Sequence, residues 1–192
     1  MLVGCSLLNY PPLNLLGLQQ SPHDAYGRGV QYYRDGLYNS AVKEFKAVPS
    51  GHPRFKQAQT YLKKVNNRVL EASTHVNAAL GYRNQGELFK AKKELEGALE
   101  VYPKHRKAST LIEALDQDID ATVDFYYDEG QEQFDQGNYE EARVAFLEVL
   151  KADPEENRVL AELSKTNQAL AKKYTKQGIT FFEKGNFNEA IR

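Results

Sequence analysis

A glycine-centred spacing that recurs four times constrains this chain more than anything else in it. It is fullest over VDFYYDEGQEQFDQGNYEEARVAFLEVLKADP, residues 123–154, whose skeleton is Gly130, Phe134, Gly137, Tyr139, Ala142, Phe146, Val149 and Pro154. Gly29, Tyr32, Gly36, Tyr38, Ala41, Phe45, Val48 and Pro53 keep the same spacing, as do Ala79, Tyr82, Gly86, Leu88, Ala91, Leu95, Ala98 and Pro103. The last copy has Gly178, Phe181, Gly185, Phe187 and Ala190. Self-similarity at a near-fixed period marks a repeat architecture, in which one unit cannot bury its apolar face without its neighbours.

Each copy reads as a helical hairpin. The glycine at 36, 86, 137 or 185 follows a helical run and precedes, after one linking residue, the first apolar position of the next. Glycine there relieves the left-handed strain of a helix end. The aromatic or leucine two residues on, the alanine three later and the Phe or Leu four after that lie along one stripe of the second helix. Alanine on that stripe lets two helices approach closely. Proline at 53, 103 and 154 is expected to stop the second helix and to open the next.

These residues resemble the tetratricopeptide repeat family, whose Gly, Tyr, Gly, Tyr, Ala, Phe and Pro pattern is met nearly in full by Gly130 to Pro154. The resemblance covers about residues 22–192. It departs at the large aromatic near the start of the first helix, which is Tyr126 and Tyr174 in two copies but Ala25 and His75 in the others. It also departs in period. Gly36 to Gly86 is 50 residues, Gly86 to Gly137 is 51 and Gly137 to Gly185 is 48, against about 34 in the family, which leaves roughly sixteen extra. At about 1.5 Å per residue those add a helical segment of some four turns. The expected fold is an all-α, tetratricopeptide-like solenoid of helical hairpins with long helices between repeats.

The spacers support that reading. Phe55, Ala58, Leu62, Val65, Val69, Ala72, Val76 and Ala79 alternate by threes and fours, and Ala108, Ile112, Leu115, Ile119, Val123 and Tyr126 nearly do. The preferred expectation is one helix of about thirty residues running from each proline into the next hairpin, with short helices at about 87–101, 138–152 and 39–47. The alternative is two shorter helices broken at the polar pairs Asn66-Asn67, Asp116-Gln117 and Thr166-Asn167.

Residues 1–20 form a separate, lipobox-like start and flexible tether, and 21–192 the repeat domain, read as truncated in its fourth repeat. Leu2-Val3-Gly4-Cys5-Ser6 resembles the lipobox of bacterial lipoproteins, in which the cysteine thiol carries a lipid. That resemblance implies a membrane anchor at Cys5 and, with Ser6 following it, export to the outer membrane. Only Met1 to Gly4 precede Cys5, whereas a secretory signal carries an apolar region of about 7–15 residues. Either the numbering starts within a longer signal or the match is chance. Leu7 to Gln20 carries two prolines and a glycine among its leucines, which prevents a regular helix. Ser21-Pro22-His23-Asp24 then reads as a helix start, with serine as N-cap and proline first in the helix.

Catalysis finds little support. His23, His52, His75 and His105 are scattered, and no glycine-rich phosphate loop follows a strand. Asp116-Gln117-Asp118-Ile119-Asp120 begins like a calcium loop, but Ala121 stands at the required turn glycine and Tyr127 at the bidentate glutamate. A net charge of −1 offers no basic face for nucleic acid. The expectation is a non-enzymatic scaffold for a protein or peptide partner, without cofactor or metal, on a cell-envelope lipoprotein. The alternatives are a cytosolic adaptor or co-chaperone, or the binding half of an enzyme whose catalytic domain lies beyond Arg192.

A partner surface is expected along a second face of each first helix. Tyr26, Val30 and Tyr33 form one line; then Val76, Leu80 and Arg83; then Tyr127, Gln131 and Phe134; then Thr175, Ile179 and Phe182. Each set has i, i+4, i+7 spacing. Either the extra sixteen-residue segments cover this face as core, or it is an aromatic-lined peptide groove. The lines lack the Lys and Asn pattern by which co-chaperone repeats clamp a C-terminal carboxylate. Phe181, Phe182 and Phe187, in the fourth copy, are expected to be poorly covered and to allow self-association.

Overall fold

The computed structural model of this chain describes residues 24–186 and 188. Cys5, the tether, Ser21 to His23, Phe187 and Ala190 lie outside the described residues. Among the described residues there are seven α-helices and no strand: α1 (Ala25–Arg34), α2 (Tyr38–Lys46), α3 (Phe55–Asn84), α4 (Leu88–Val101), α5 (Arg106–Asp135), α6 (Tyr139–Ala152) and α7 (Asn157–Glu183). The long helices are continuous, with 30 residues in α3, 30 in α5 and 27 in α7. The polar pairs do not break them, because a helix needs no break to place a polar group in water. Asn66, Asn67, Gln117 and Asn167 are exposed, while buried Thr166 donates its hydroxyl to the Glu162 carbonyl at 2.7 Å.

Every first helix ends in the same way. Gly36, Gly86, Gly137 and Gly185 have φ of 70, 75, 81 and 74°. The next residue's amide reaches back five positions, as from Leu37 to the Tyr32 carbonyl at 2.8 Å and from Asn138 to that of Gln133 at 2.9 Å. This closes the last turn on otherwise orphaned carbonyls.

Two local expectations are corrected. Asp24, not Ser21, caps α1, its carboxylate accepting from the Gly27 amide. Pro103 and Pro154 follow the ends of α4 and α6 by two residues, but α2 ends at Lys46, well before Pro53. None of the three opens a long helix, which begins two or three residues later. The His105 ring accepts from the Ala108 amide at α5, and Glu156 caps α7 by accepting from Arg158. Glu140-Glu141 occupies the first turn of α6, whereas Glu155-Glu156 precedes α7.

The helices form two compact units, Met1–Asn67 and Arg68–Arg192. In the first, α1 and α2 pack as a hairpin around Ala41 and Phe45, both 0% exposed. The start of α3 completes that core: Tyr61 stacks on Phe45 with ring centroids 5.2 Å apart and meets Tyr33 edge-on at 5.3 Å. In the second unit the rest of α3 is joined by α4, and α4 packs on α5, α5 on α6 and α6 on α7. Its core runs through Ala91, Leu95, Leu115, Ala142, Phe146, Val149 and Val159. Leu80, Leu95 and Leu115, from α3, α4 and α5, line one small cavity. Each hairpin is thus a three-helix cluster, its third member being the first part of the next long helix. That third member is where the extra sixteen residues go.

Candidate functional site

The third helical segment decides what becomes of the expected partner lines. In the first line, Tyr26 and Val30 are both 4% exposed, and Tyr26 has Tyr61 and His52 each at 6.3 Å and the Arg54 guanidinium 5.4 Å above its ring. Tyr33 is half-buried between Tyr38 and Tyr61. In the second line Val76 is 2% exposed, Leu80 is half-buried against Leu111 and Leu115, and Arg83 is held by Asp118 at 2.6 Å. Tyr26, Val30 and Val76 are therefore core rather than open groove, because the extra segment carries apolar residues to cover them.

The third line is half-buried. Tyr127 lies 6.0 Å from Phe146, centroid to centroid, beneath the Arg158 guanidinium of α7 at 5.3 Å. Its hydroxyl accepts from the Gln131 amide at 3.4 Å, and Phe134 packs on Tyr139 at 5.3 Å. The fourth line differs. Thr175 is exposed, Ile179 is 54% exposed and Phe182 63%.

A different opening was not foreseen. Arg83, Leu88, Asp118, Thr122, Tyr126 and Lys151 line a cleft of about 580 Å³ where the second hairpin turn meets the end of α6 beside α5. Phe125, 64% exposed, stands edge-on to Tyr126 at 5.1 Å. Phe125 falls off the i, i+4, i+7 lines, so periodicity gave no reason to single it out. Its position immediately before the signature aromatic was the one available signal.

The charged groups are arranged as pairs between helices. Glu140 at the start of α6 accepts from Lys173 at 2.9 Å and from the Tyr174 hydroxyl at 2.7 Å on α7. The lysine hydrogen bond first, and the tyrosine second, hold its carboxyl down to about 2. Arg28 forms a fork on Glu44 between α1 and α2, at 3.0 and 2.8 Å. His75, at the signature aromatic position of its copy, instead pairs with Glu94 at 2.8 Å. The calcium-loop-like acids are helical and already engaged, Asp116 with Lys92 at 2.7 Å and Asp118 with Arg83. Among the described residues no cluster of three metal-ligating side chains occurs, and no helix is long and apolar enough to cross a membrane.

No curated protein matches the chain. The tetratricopeptide repeat family model matches residues 123–156, which run from the second part of α5 through α6 to the turn before α7. That is the hairpin in which Gly130 and Phe146 meet, and modules of this family serve protein–protein interaction. Residues 123–156 are a tetratricopeptide repeat, set within an all-α chain of similar hairpins.

Proposed function

We propose that this chain is a non-catalytic scaffold that binds a protein partner through its hairpins, held at a bacterial cell envelope by a lipid on Cys5. The observation that carries the binding reading is the tetratricopeptide hairpin at residues 123–156. Its neighbours repeat the same glycine turns and the same small-on-large packing. The charged side chains found near its clefts are held in pairs that tie helices together, as Arg83 is by Asp118 and Glu140 by Lys173. Such groups organise a surface for recognition instead of waiting for a substrate.

The envelope part of the proposal is supported by Leu2-Val3-Gly4-Cys5-Ser6. A lipid there places the repeats at the outer membrane, facing the periplasm, as a support for assembly or secretion of an envelope complex. One experiment addresses both parts. The full-length protein and its Cys5→Ser variant are expressed in the native host, crosslinked, and separated into membrane and soluble fractions. The expected result is a specific crosslinked protein and a shift of Cys5→Ser from membrane to soluble material. Unchanged fractionation would remove the anchor, and the absence of any crosslinked partner would remove the scaffold.

A further inference from the structure

One aromatic ring of α5 stands in water at a place where the other copies are polar. Phe125 is 64% exposed. Counted back from the hairpin glycine, its counterparts are Asp24, Thr74 and Lys173. Thr74 is exposed although the hairpin after its copy, α5 with α6, is complete, so this is not a place that the next repeat covers. Nor is the ring isolated. Ala121 and Thr122, one turn before it, line the cleft of about 580 Å³ with Leu88 of α4, Tyr126 and the end of α6. Phe125 thus widens the apolar side of an opening whose walls this chain supplies itself. The cations of that cleft are already matched, Arg83 by Asp118 at 2.6 Å and Lys151 by Glu148 at 2.5 Å.

The charge beside the ring has one sign. After Lys107, α5 holds no lysine or arginine as far as Asp135. Neighbouring helices bring Lys92 to Asp116, Arg83 to Asp118 and Arg158 to Asp124. Asp128 and Glu132, one and two turns beyond Phe125 on the same face, are exposed and in no ion pair with a described residue. The line Tyr127, Gln131 and Phe134 lies on the opposite side of α5, about 200° round the helix from Phe125.

We propose that Phe125 and the cleft beside it, with Asp128 and Glu132 along the flank, dock a basic helical segment of a partner protein. An aliphatic side chain of that segment enters the cleft against Phe125 and Tyr126. Lysines or arginines at three- or four-residue steps lie over Asp128 and Glu132. The proposal rests on the protein-binding reading above and names its partner's chemistry. The sign follows from the acids left without a cation, which repel an acidic segment and attract a basic one. The helical form follows from spacing, since Phe125, Asp128 and Glu132 make one straight line that a second helix matches step for step.

The test uses the full chain and a fluorescent alanine-based helical peptide with leucines at four-residue steps and lysines along one flank. A second peptide carries glutamates in place of the lysines. Saturable binding of the lysine peptide by anisotropy is expected, weakened at least about tenfold by Phe125→Ser. The double variant Asp128→Lys/Glu132→Lys should lose the lysine peptide and gain the glutamate one. Because all three side chains are exposed, thermal melts of these variants should match the parent. No saturable binding of the lysine peptide, equal binding of both peptides, or binding indifferent to Phe125→Ser would overturn the proposal. So would sedimentation showing a dimer that Phe125→Ser dissolves, since the occupant would then be a second copy. A native partner that crosslinks equally to the parent and to Phe125→Ser would remove this site while leaving the protein-binding reading intact.

Discussion

Phe146 lies flat enough against the backbone of Gly130 that a single methyl group on that glycine would collide with the ring. Gly29 and Phe45 repeat the arrangement, an added Cβ falling 2.7 Å from the ring. The second copy has Ala79 and Leu95 in these places, so the small partner grows where the large one shrinks. Gly130→Ala should therefore cost about 1–3 kcal/mol by overpacking. Adding Phe146→Leu should restore part of that loss, and a double-mutant cycle by urea unfolding would read the coupling. Strictly additive losses would mean that the two residues do not share one packing constraint.

Gly137 poses the opposite problem. Nothing lies within 4 Å of where its Cβ would stand, yet its φ is 81°. Gly137→Val should destabilise by about 1 kcal/mol or more through backbone strain alone. Gly137→Asn should cost less, since asparagine tolerates the left-handed region. Equal losses for both, measured by chemical denaturation, would point to space and not to backbone conformation.

The carboxyl of Glu140 is held down to about 2 by Lys173 and Tyr174. A depressed acid stabilises the fold above its unfolded value and loses that contribution as pH falls through the folded one. Its contribution should be full above about pH 4.5 and fade towards pH 2. Melting temperatures of the parent and of Glu140→Gln should differ at pH 6 and converge near pH 2. A difference that stays constant over that range would place the effect outside this ionisation.

Tyr127 sits between Phe146 and the Arg158 guanidinium, and Phe134 against Tyr139. Tyr127→Ala should lower stability by roughly 1.5–2.5 kcal/mol, half the cost of truncating a fully buried aromatic. Phe134→Ala should do likewise, and partner binding should fall only in step with folding. Loss of binding at an unchanged melting temperature would instead make these rings part of a recognition surface.

The fold was legible because its determinants are local. Gly36, Gly86, Gly137 and Gly185 punctuate the chain, and the stripe from Tyr139 through Ala142 to Phe146 has one period and one possible use. The fate of the second face was not legible, because Val30, Leu80 and Ile179 occupy equivalent positions with similar chemistry. What separates them is the segment laid against each: Val30 is buried, Leu80 shares a cavity with Leu111 and Leu115, and Ile179 is exposed. Periodicity on one helix states which residues want cover and is silent on whether cover arrives. The start of α1 was missed for a smaller reason, since Ser21 and Asp24 are equally good caps and only the register of the core chooses between them.

The length of the long helices carries a further consequence, for how such a chain tolerates insertions. Each residue added to a helix turns everything after it by about 100°. One residue removed from the middle of α5 would swing Gly130 away from Phe146 while leaving Leu115 in place. The copies obey this gearing. The extra residue that makes one period 51 instead of 50 lies between Pro103 and Arg106, in a loop, and α3 and α5 keep the same 30 residues. Helix α7 is shorter by three, 27 against 30, which is most of a full turn and returns the stripe close to its former bearing. Loops can drift in length by single residues, whereas the helices are indexed like a ratchet and admit change only by whole teeth.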